Sequence, residues 1–155
     1  MLLTVTINGE KRKFEISPGD TLLEVLRREG YYEVKKGCGT GNCGTCTVLL
    51  DGIAVTSCTK LAGLVEGREV VTIAGIGTPD NPHPLQEAFV EEGAVQCGYC
   101  IPGMILSAKA LLDNNPNPTE EEIKESLDGN LCRCTGYVNQ IKAVKLAAAL
   151  GSTNT

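Results

Sequence analysis

Lys35-Lys36-Gly37-Cys38-Gly39-Thr40-Gly41-Asn42-Cys43-Gly44-Thr45-Cys46, followed after eleven residues by Cys58, is the stretch on which the reading of this chain turns. Its thiols are spaced C-x4-C-x2-C, and four of the eight residues from Gly37 to Gly44 are glycine. A loop that aims several sulfurs at one point needs left-handed backbone, which glycine adopts without steric cost. Bare backbone also lets N–H groups approach closely enough to donate to thiolates. The intervening residues read as a hairpin, with Thr47-Val48-Leu49-Leu50 as one strand, Asp51-Gly52 as the turn and Ile53-Ala54-Val55-Thr56 returning. In that register Leu50 faces Ile53, Cys46 faces Ser57, and Cys58 lies one step from Cys46. Strand pairing thus delivers the fourth thiol, while Lys35 and Lys36 bring positive charge to the loop's entrance.

This is the spacing at which a plant-type ferredoxin loop holds a [2Fe–2S] cluster. Eight cysteines in 155 residues would also suit a secreted disulfide scaffold. However, Met1-Leu2-Leu3-Thr4-Val5-Thr6 shows no basic segment, long apolar segment or cleavage site of a secretory leader. Zinc favours two short cysteine pairs on knuckles, whereas three thiols on one glycine-rich loop plus a hairpin cysteine form a wider cage. The expectation is an iron–sulfur site at Cys38, Cys43, Cys46 and Cys58.

Fourteen basic residues against nineteen acidic ones leave a net charge of −5 and a pI near 4.9. That balance excludes the broad basic face of a nucleic-acid binder. No run approaches the ~18 apolar residues of a membrane span. A cytoplasmic protein with no nucleic-acid partner and no membrane span is expected, holding one domain or two small ones.

Residues 1–75 read as α+β. Leu3, Val5 and Ile7 alternate with threonines, Asn8-Gly9 signals a turn, and Phe14 and Ile16 continue the alternation. Thr21 and Glu24 form a capping box ahead of Leu22, Val25 and Leu26, with Gly30 as the stop. A brief helical segment is expected over 58–64 and a last strand over 69–73. Residues 76–82, rich in Gly, Pro and Asn, read as a linker, and 83–155 read as four helices. His83, the only histidine, precedes Pro84 as a cap rather than a catalyst. Met104, Ile105, Ala108, Leu111 and Leu112 keep helical period. Thr119 and Glu122 form another capping box, so Glu120-Glu121-Glu122 serve a first turn. Ile141, Val144 and Ala148 share a stripe on the final helix.

A second cysteine constellation lies in the helical half. Gln96-Cys97-Gly98-Tyr99-Cys100 gives C-x2-C between the first two helices, and Asn130-Leu131-Cys132-Arg133-Cys134-Thr135-Gly136 gives C-x-C between the last two. In an antiparallel bundle both connections fall at the same end, so four thiols converge. Two short pairs suit zinc, yet C-x-C is tight for one tetrahedral ion. Spacing alone leaves zinc and a second cluster both open.

The segments Gly93 to Met104 and Gly129 to Tyr137, together with the loop Lys36 to Thr47, resemble the small iron–sulfur subunit of the xanthine dehydrogenase (molybdenum hydroxylase) family. The likeness runs over about residues 3–150 with all eight cysteines at family spacing. Thr45 stands where a small Ala is usual, and Ile101 where Thr is common. The resemblance implies a β-grasp, ferredoxin-like [2Fe–2S] domain followed by an all-α four-helix-bundle [2Fe–2S] domain. The second cluster would be held by Cys97, Cys100, Cys132 and Cys134. It also implies a large subunit carrying molybdopterin, contacted by Gln96 and Cys134, and an FAD subunit or other acceptor. The partner would hydroxylate a carbon beside a ring nitrogen, or an aldehyde, with electrons leaving through this chain, which is not catalytic alone. Two rivals are a free-standing two-cluster ferredoxin and a zinc-stabilised interaction module.

Overall fold

The computed structural model describes residues 1–152. Leu2–Ile7 (β1) and Glu10–Glu15 (β2) pair antiparallel about Asn8-Gly9, both in left-handed backbone. Leu3, Val5 and Ile7 turn inward, as their alternation requires, while β2 buries only Phe14. The helix Leu22–Arg28 (α1) starts at the expected Thr21–Glu24 capping box and buries Leu22, Leu23, Val25 and Leu26. Thr47–Leu50 (β3) and Ile53–Thr56 (β4) form the anticipated hairpin, with Leu50 opposite Ile53 and Thr47 opposite Thr56. Glu69–Val71 (β5) then enters the middle of the sheet, parallel to β1 and antiparallel to β3, giving the order β2-β1-β5-β3-β4. This is the β-grasp arrangement, with α1 and the sheet enclosing one apolar core that includes Cys46 and Cys58.

Two local expectations are corrected. The segment over 58–64 is two 3-10 turns, Ser57–Thr59 and Ala62–Val65, parted by extended Lys60 and Leu61 because Leu61 bridges to Thr21. The last strand stops at Val71 rather than residue 73. There Thr72 donates its N–H to Asn8 Oδ1 (2.8 Å) instead of to a strand, and Ile73–Gly75 turns away.

The second half is built from Pro84–Glu91 (α2), Ile101–Asn114 (α3), Glu120–Leu127 (α4) and Val138–Ser152 (α5). Their shared core centres on Leu85, Phe89, Met104, Ile105, Ile123 and Val144. His83 caps α2, its Nδ1 accepting from Leu85 N at 3.1 Å, and Thr119 caps α4 as expected. The face that α5 buries most fully is Gln140, Ala143, Val144 and Ala147, with Ile141 and Ala148 only half-buried. A polar residue thus joins the apolar stripe: Gln140 Nε2 donates to Ala94 O at 2.7 Å. Ile73 and Ile76 pack against this second core, so the approach to the connecting segment is itself anchored.

The halves meet where α3 lies across β3 and β4. Val48 and Leu50 face the first core, whereas Thr47 and Leu49, on the opposite face, are also buried. That double burial explains why β3 is an unbroken apolar run.

Candidate iron–sulfur sites

The first loop is shaped by its glycines. Gly39, Gly41 and Gly44 have φ of 70°, 83° and 69°, while a Cβ on Gly37 would stand 2.8 Å from Cys43 Sγ. The backbone so placed turns its N–H groups onto sulfur. Cys38 Sγ accepts from Thr40 N (3.4 Å), Asn42 N (3.3 Å) and Cys43 N (3.4 Å), and Cys43 Sγ accepts from Cys38 N (3.4 Å). Thr40, through its hydroxyl and then its N–H, together with the contacts from Cys43, pulls the Cys38 thiol down to about 5. Cys58 is pushed the other way, to about 11, by burial and then by the neighbouring Cys46 thiol. Register explains that neighbour: Ser57 donates both its N–H (3.4 Å) and its hydroxyl (2.7 Å) to Cys46 O, which fixes Cys58 beside Cys46. Lys36 contributes its carbonyl to the joint, accepting from the Tyr99 hydroxyl at 2.6 Å.

In the helical half the two connections do fall at one end of the bundle. Cys100 meets Cys132 and Cys97 meets Cys134 through thiol–thiol contacts. Burial, then Cys132, drives Cys100 up to about 12. The contact with Cys97 raises the pKa of Cys134. Burial opposes ionisation of Cys132, but the Thr135 hydroxyl and the N–H groups of Cys134 and Thr135 outweigh it and leave that thiol below its ordinary value. Gln96, Cys97 and Cys134 are all exposed.

All eight cysteines are free thiols in this fold. Among the described residues no three His, Cys, Asp or Glu side chains gather closely enough to hold a single metal ion. The thiols instead come together in pairs, Cys46 with Cys58, Cys97 with Cys134 and Cys100 with Cys132, leaving Cys38 with Cys43 in the first loop. Two thiolates for each of two irons is the donor set of a [2Fe–2S] cluster, so the residues fit that group.

The two loops are interlocked. Leu131 N donates to Cys43 O (2.9 Å), the Thr45 hydroxyl to Tyr99 O (3.0 Å), and the buried Asn130 Nδ2 to Gly44 O (3.1 Å). Gly44 O also lies against Gly103, where a Cβ would overlap it. A cavity of about 230 Å³ runs between the sites, touching Cys38, Cys43, Cys97, Cys100, Cys132 and Cys134. Sequence reasoning missed Thr45, Tyr99, Asn130 and Tyr137 as structural members of the site. Thr45 did stand out as an unusual residue, and Asn130 and Tyr137 sit inside the second motif. Nothing in the spacing marked their partners.

Comparison with known proteins agrees with this geometry. Residues 5–70 match the family profile of a 2Fe-2S iron-sulfur cluster binding domain, and residues 72–145 that of a [2Fe-2S] binding domain. The chain is 49% identical over 146 residues to the nicotinate dehydrogenase small FeS subunit of Eubacterium barkeri, covering 94% of this chain and 93% of that one. It is 44% identical over 143 residues to the nicotine 6-hydroxylase small subunit of Paenarthrobacter nicotinovorans, covering 92% of this chain and 86% of that one. Among solved structures, quinoline 2-oxidoreductase from Pseudomonas putida superposes with a TM-score of 0.94 at 39% identity, covering 99% of this chain and 96% of the matched one. The aldehyde oxidoreductase of Desulfovibrio desulfuricans gives a TM-score of 0.95 at 46% identity, and 99% of this chain spans only 17% of that larger polypeptide. The chain belongs to the two-domain, [2Fe–2S]-binding iron–sulfur subunits of the molybdenum hydroxylase family.

Proposed function

We propose that this chain is the electron-transfer subunit of a molybdopterin-dependent hydroxylase. Residues 1–75 would form the first [2Fe–2S] domain, 76–82 the linker and 83–155 the second. Cys38, Cys43, Cys46 and Cys58 would hold one cluster, and Cys97, Cys100, Cys132 and Cys134 the other. A bound [2Fe–2S] cluster takes up and releases one electron, its potential set by hydrogen bonds to sulfur and by burial. The chain's own work is to hold thiolates, aim N–H groups at sulfur and keep the two loops in fixed relation. The observation that carries this reading is the pairing of eight free thiols in two loops joined through Leu131, Tyr99 and Asn130.

The partner is a large molybdopterin-binding subunit, facing the exposed Gln96 and Cys134. Val95, Leu131 and Val138, 40%, 55% and 60% exposed, flank those residues in the chain. Exposed apolar residues next to the second thiol set in the chain support a docked subunit over a diffusible carrier. An FAD subunit is the natural acceptor on the side of the exposed Cys38. Relatives named for nicotinate, quinoline and aldehydes share this architecture, which puts substrate choice in the large subunit. No helix among the described residues is long and apolar enough to cross a membrane, and we assign the complex to the cytoplasm.

The test is purification of the complex from its native host by a tag on this chain, with molybdenum and pterin assayed. Stoichiometric molybdopterin in the complex, and no substrate oxidation by this chain alone, is the expected result. A monomer without molybdenum, or turnover by the isolated chain, would overturn it.

A further inference from the structure

Cys132 is held by its own loop at both its sulfur and its N–H, each by a side-chain hydroxyl. The Thr135 hydroxyl donates to Cys132 Sγ at 3.2 Å. The same oxygen accepts from Tyr137 N at 3.4 Å, so its single proton is left for the sulfur. Tyr137 adopts φ +67°, a left-handed conformation unfavourable for a bulky residue. Its side chain holds it there: the Tyr137 hydroxyl accepts from Cys132 N at 2.7 Å and donates to Asn130 O at 3.2 Å, while the ring packs on the helical core. Cys132 is therefore fixed at both its N–H and its sulfur by two residues that ligate nothing.

At the first site Cys38 sulfur accepts from three backbone N–H groups besides the Thr40 hydroxyl. At Cys132 the Thr135 hydroxyl joins the N–H groups of Cys134 and Thr135, and one substitution removes that hydroxyl while leaving the backbone donors in place. A donor to a ligand sulfur stabilises the reduced, more negative cluster more than the oxidised one, and so raises the reduction potential. We propose that Thr135 sets the potential of the second site through Cys132, independently of the first, and that Tyr137 is the positioning residue that aims the Thr135 hydroxyl. The inference rests on the second thiol set holding a [2Fe–2S] cluster.

The test is redox titration of both reduced-cluster EPR signals in the purified complex, for wild type, Thr135→Val and Thr135→Ser. Valine keeps the shape and loses the hydroxyl; serine restores it. The expected result is a more negative midpoint for the second signal in Thr135→Val, an unmoved first signal, unchanged iron content, and a wild-type midpoint in Thr135→Ser. A second midpoint that ignores Thr135→Val, or equal shifts of both signals, overturns the proposal alone. A wild type with no second signal refutes the cluster assignment and the proposal with it. Should Thr135→Val fail to assemble, proton ENDOR on the wild-type second signal decides. A strongly coupled proton that exchanges rapidly in D2O, as a hydroxyl does, supports the proposal, and its absence sinks it.

Discussion

Gly44→Ala is the substitution to which the joined loops are most sensitive. Gly44 sits between Cys43 and Cys46 at φ +69°, where a side chain is strained by about 1–2 kcal/mol. An added Cβ would overlap Gly129 O and stand 2.7 Å from Asn130 Nδ2. Relieving that overlap means moving the 129–131 segment away, which breaks the 3.1 Å bond from Asn130 to Gly44 O and leaves the buried amide only its longer, 3.5 Å contact with the Thr47 hydroxyl. A buried donor left without its acceptor costs a further ~1–3 kcal/mol, so a total near 3 kcal/mol is a fair expectation. The matched control is Gly129→Ala: a Cβ there meets nothing within 4 Å and the backbone is not left-handed. The assay is anaerobic urea titration of the cluster-loaded protein followed by far-UV circular dichroism, with EPR of both clusters on the same samples. At a slope of ~1–3 kcal/mol/M, Gly44→Ala should lower the midpoint by about 1–3 M, and Gly129→Ala should scarcely move it. Both EPR signals should broaden or shift in Gly44→Ala, because the displaced segments carry ligands of both sites. Equal midpoints for the two alanine variants, with unaltered spectra, would refute the claim that the loops interlock through this contact.

Other expectations follow from the same geometry. Cys97→Ser should abolish the second EPR signal and loosen the helical half while the first signal keeps its shape, since the first core is built without the bundle; loss of both signals would show that the halves do not stand separately. His83 should confer a pH dependence. Burial and then Lys109 hold its pKa below 6.5, and only a neutral Nδ1 can accept from Leu85 N. The cap is therefore complete at neutral pH and is lost as pH falls below 6.5 through the lower folded value. The loss should be a few tenths to about 1 kcal/mol, and His83→Asn, which caps without titrating, should flatten urea midpoints measured from pH 7.5 to 5.5; an unchanged slope would contradict the assignment.

Much of this fold could be read directly from local chemistry. The Asp51-Gly52 turn set the hairpin register and hence the neighbours Cys46 and Cys58. Thr21 and Thr119 announced their helices, and the lone histidine between prolines announced a third. The cysteine spacings picked out the two regions in which the thiols come together. What could not be read depended on tertiary partners. Gln140 sits inside an apolar stripe because Ala94 O needs a donor at the end of the α2 turn, and no periodicity shows that. β5 ends early because Asn8, some sixty residues upstream, captures Thr72. Thr45 and Tyr99 matter through each other, across the joint between the halves. The spacing of the second thiol set left zinc and iron–sulfur open, and the match of residues 72–145 to a [2Fe-2S] binding domain decides for the cluster.

The measurement that bears most directly on the central claim is EPR of the dithionite-reduced, anaerobically purified protein, with iron, sulfide and zinc counted on the same sample. Two distinguishable [2Fe–2S] signals with about four irons per chain are predicted. One signal with about two irons would return the helical thiols to zinc, and no signal with zinc present would contradict the account as a whole.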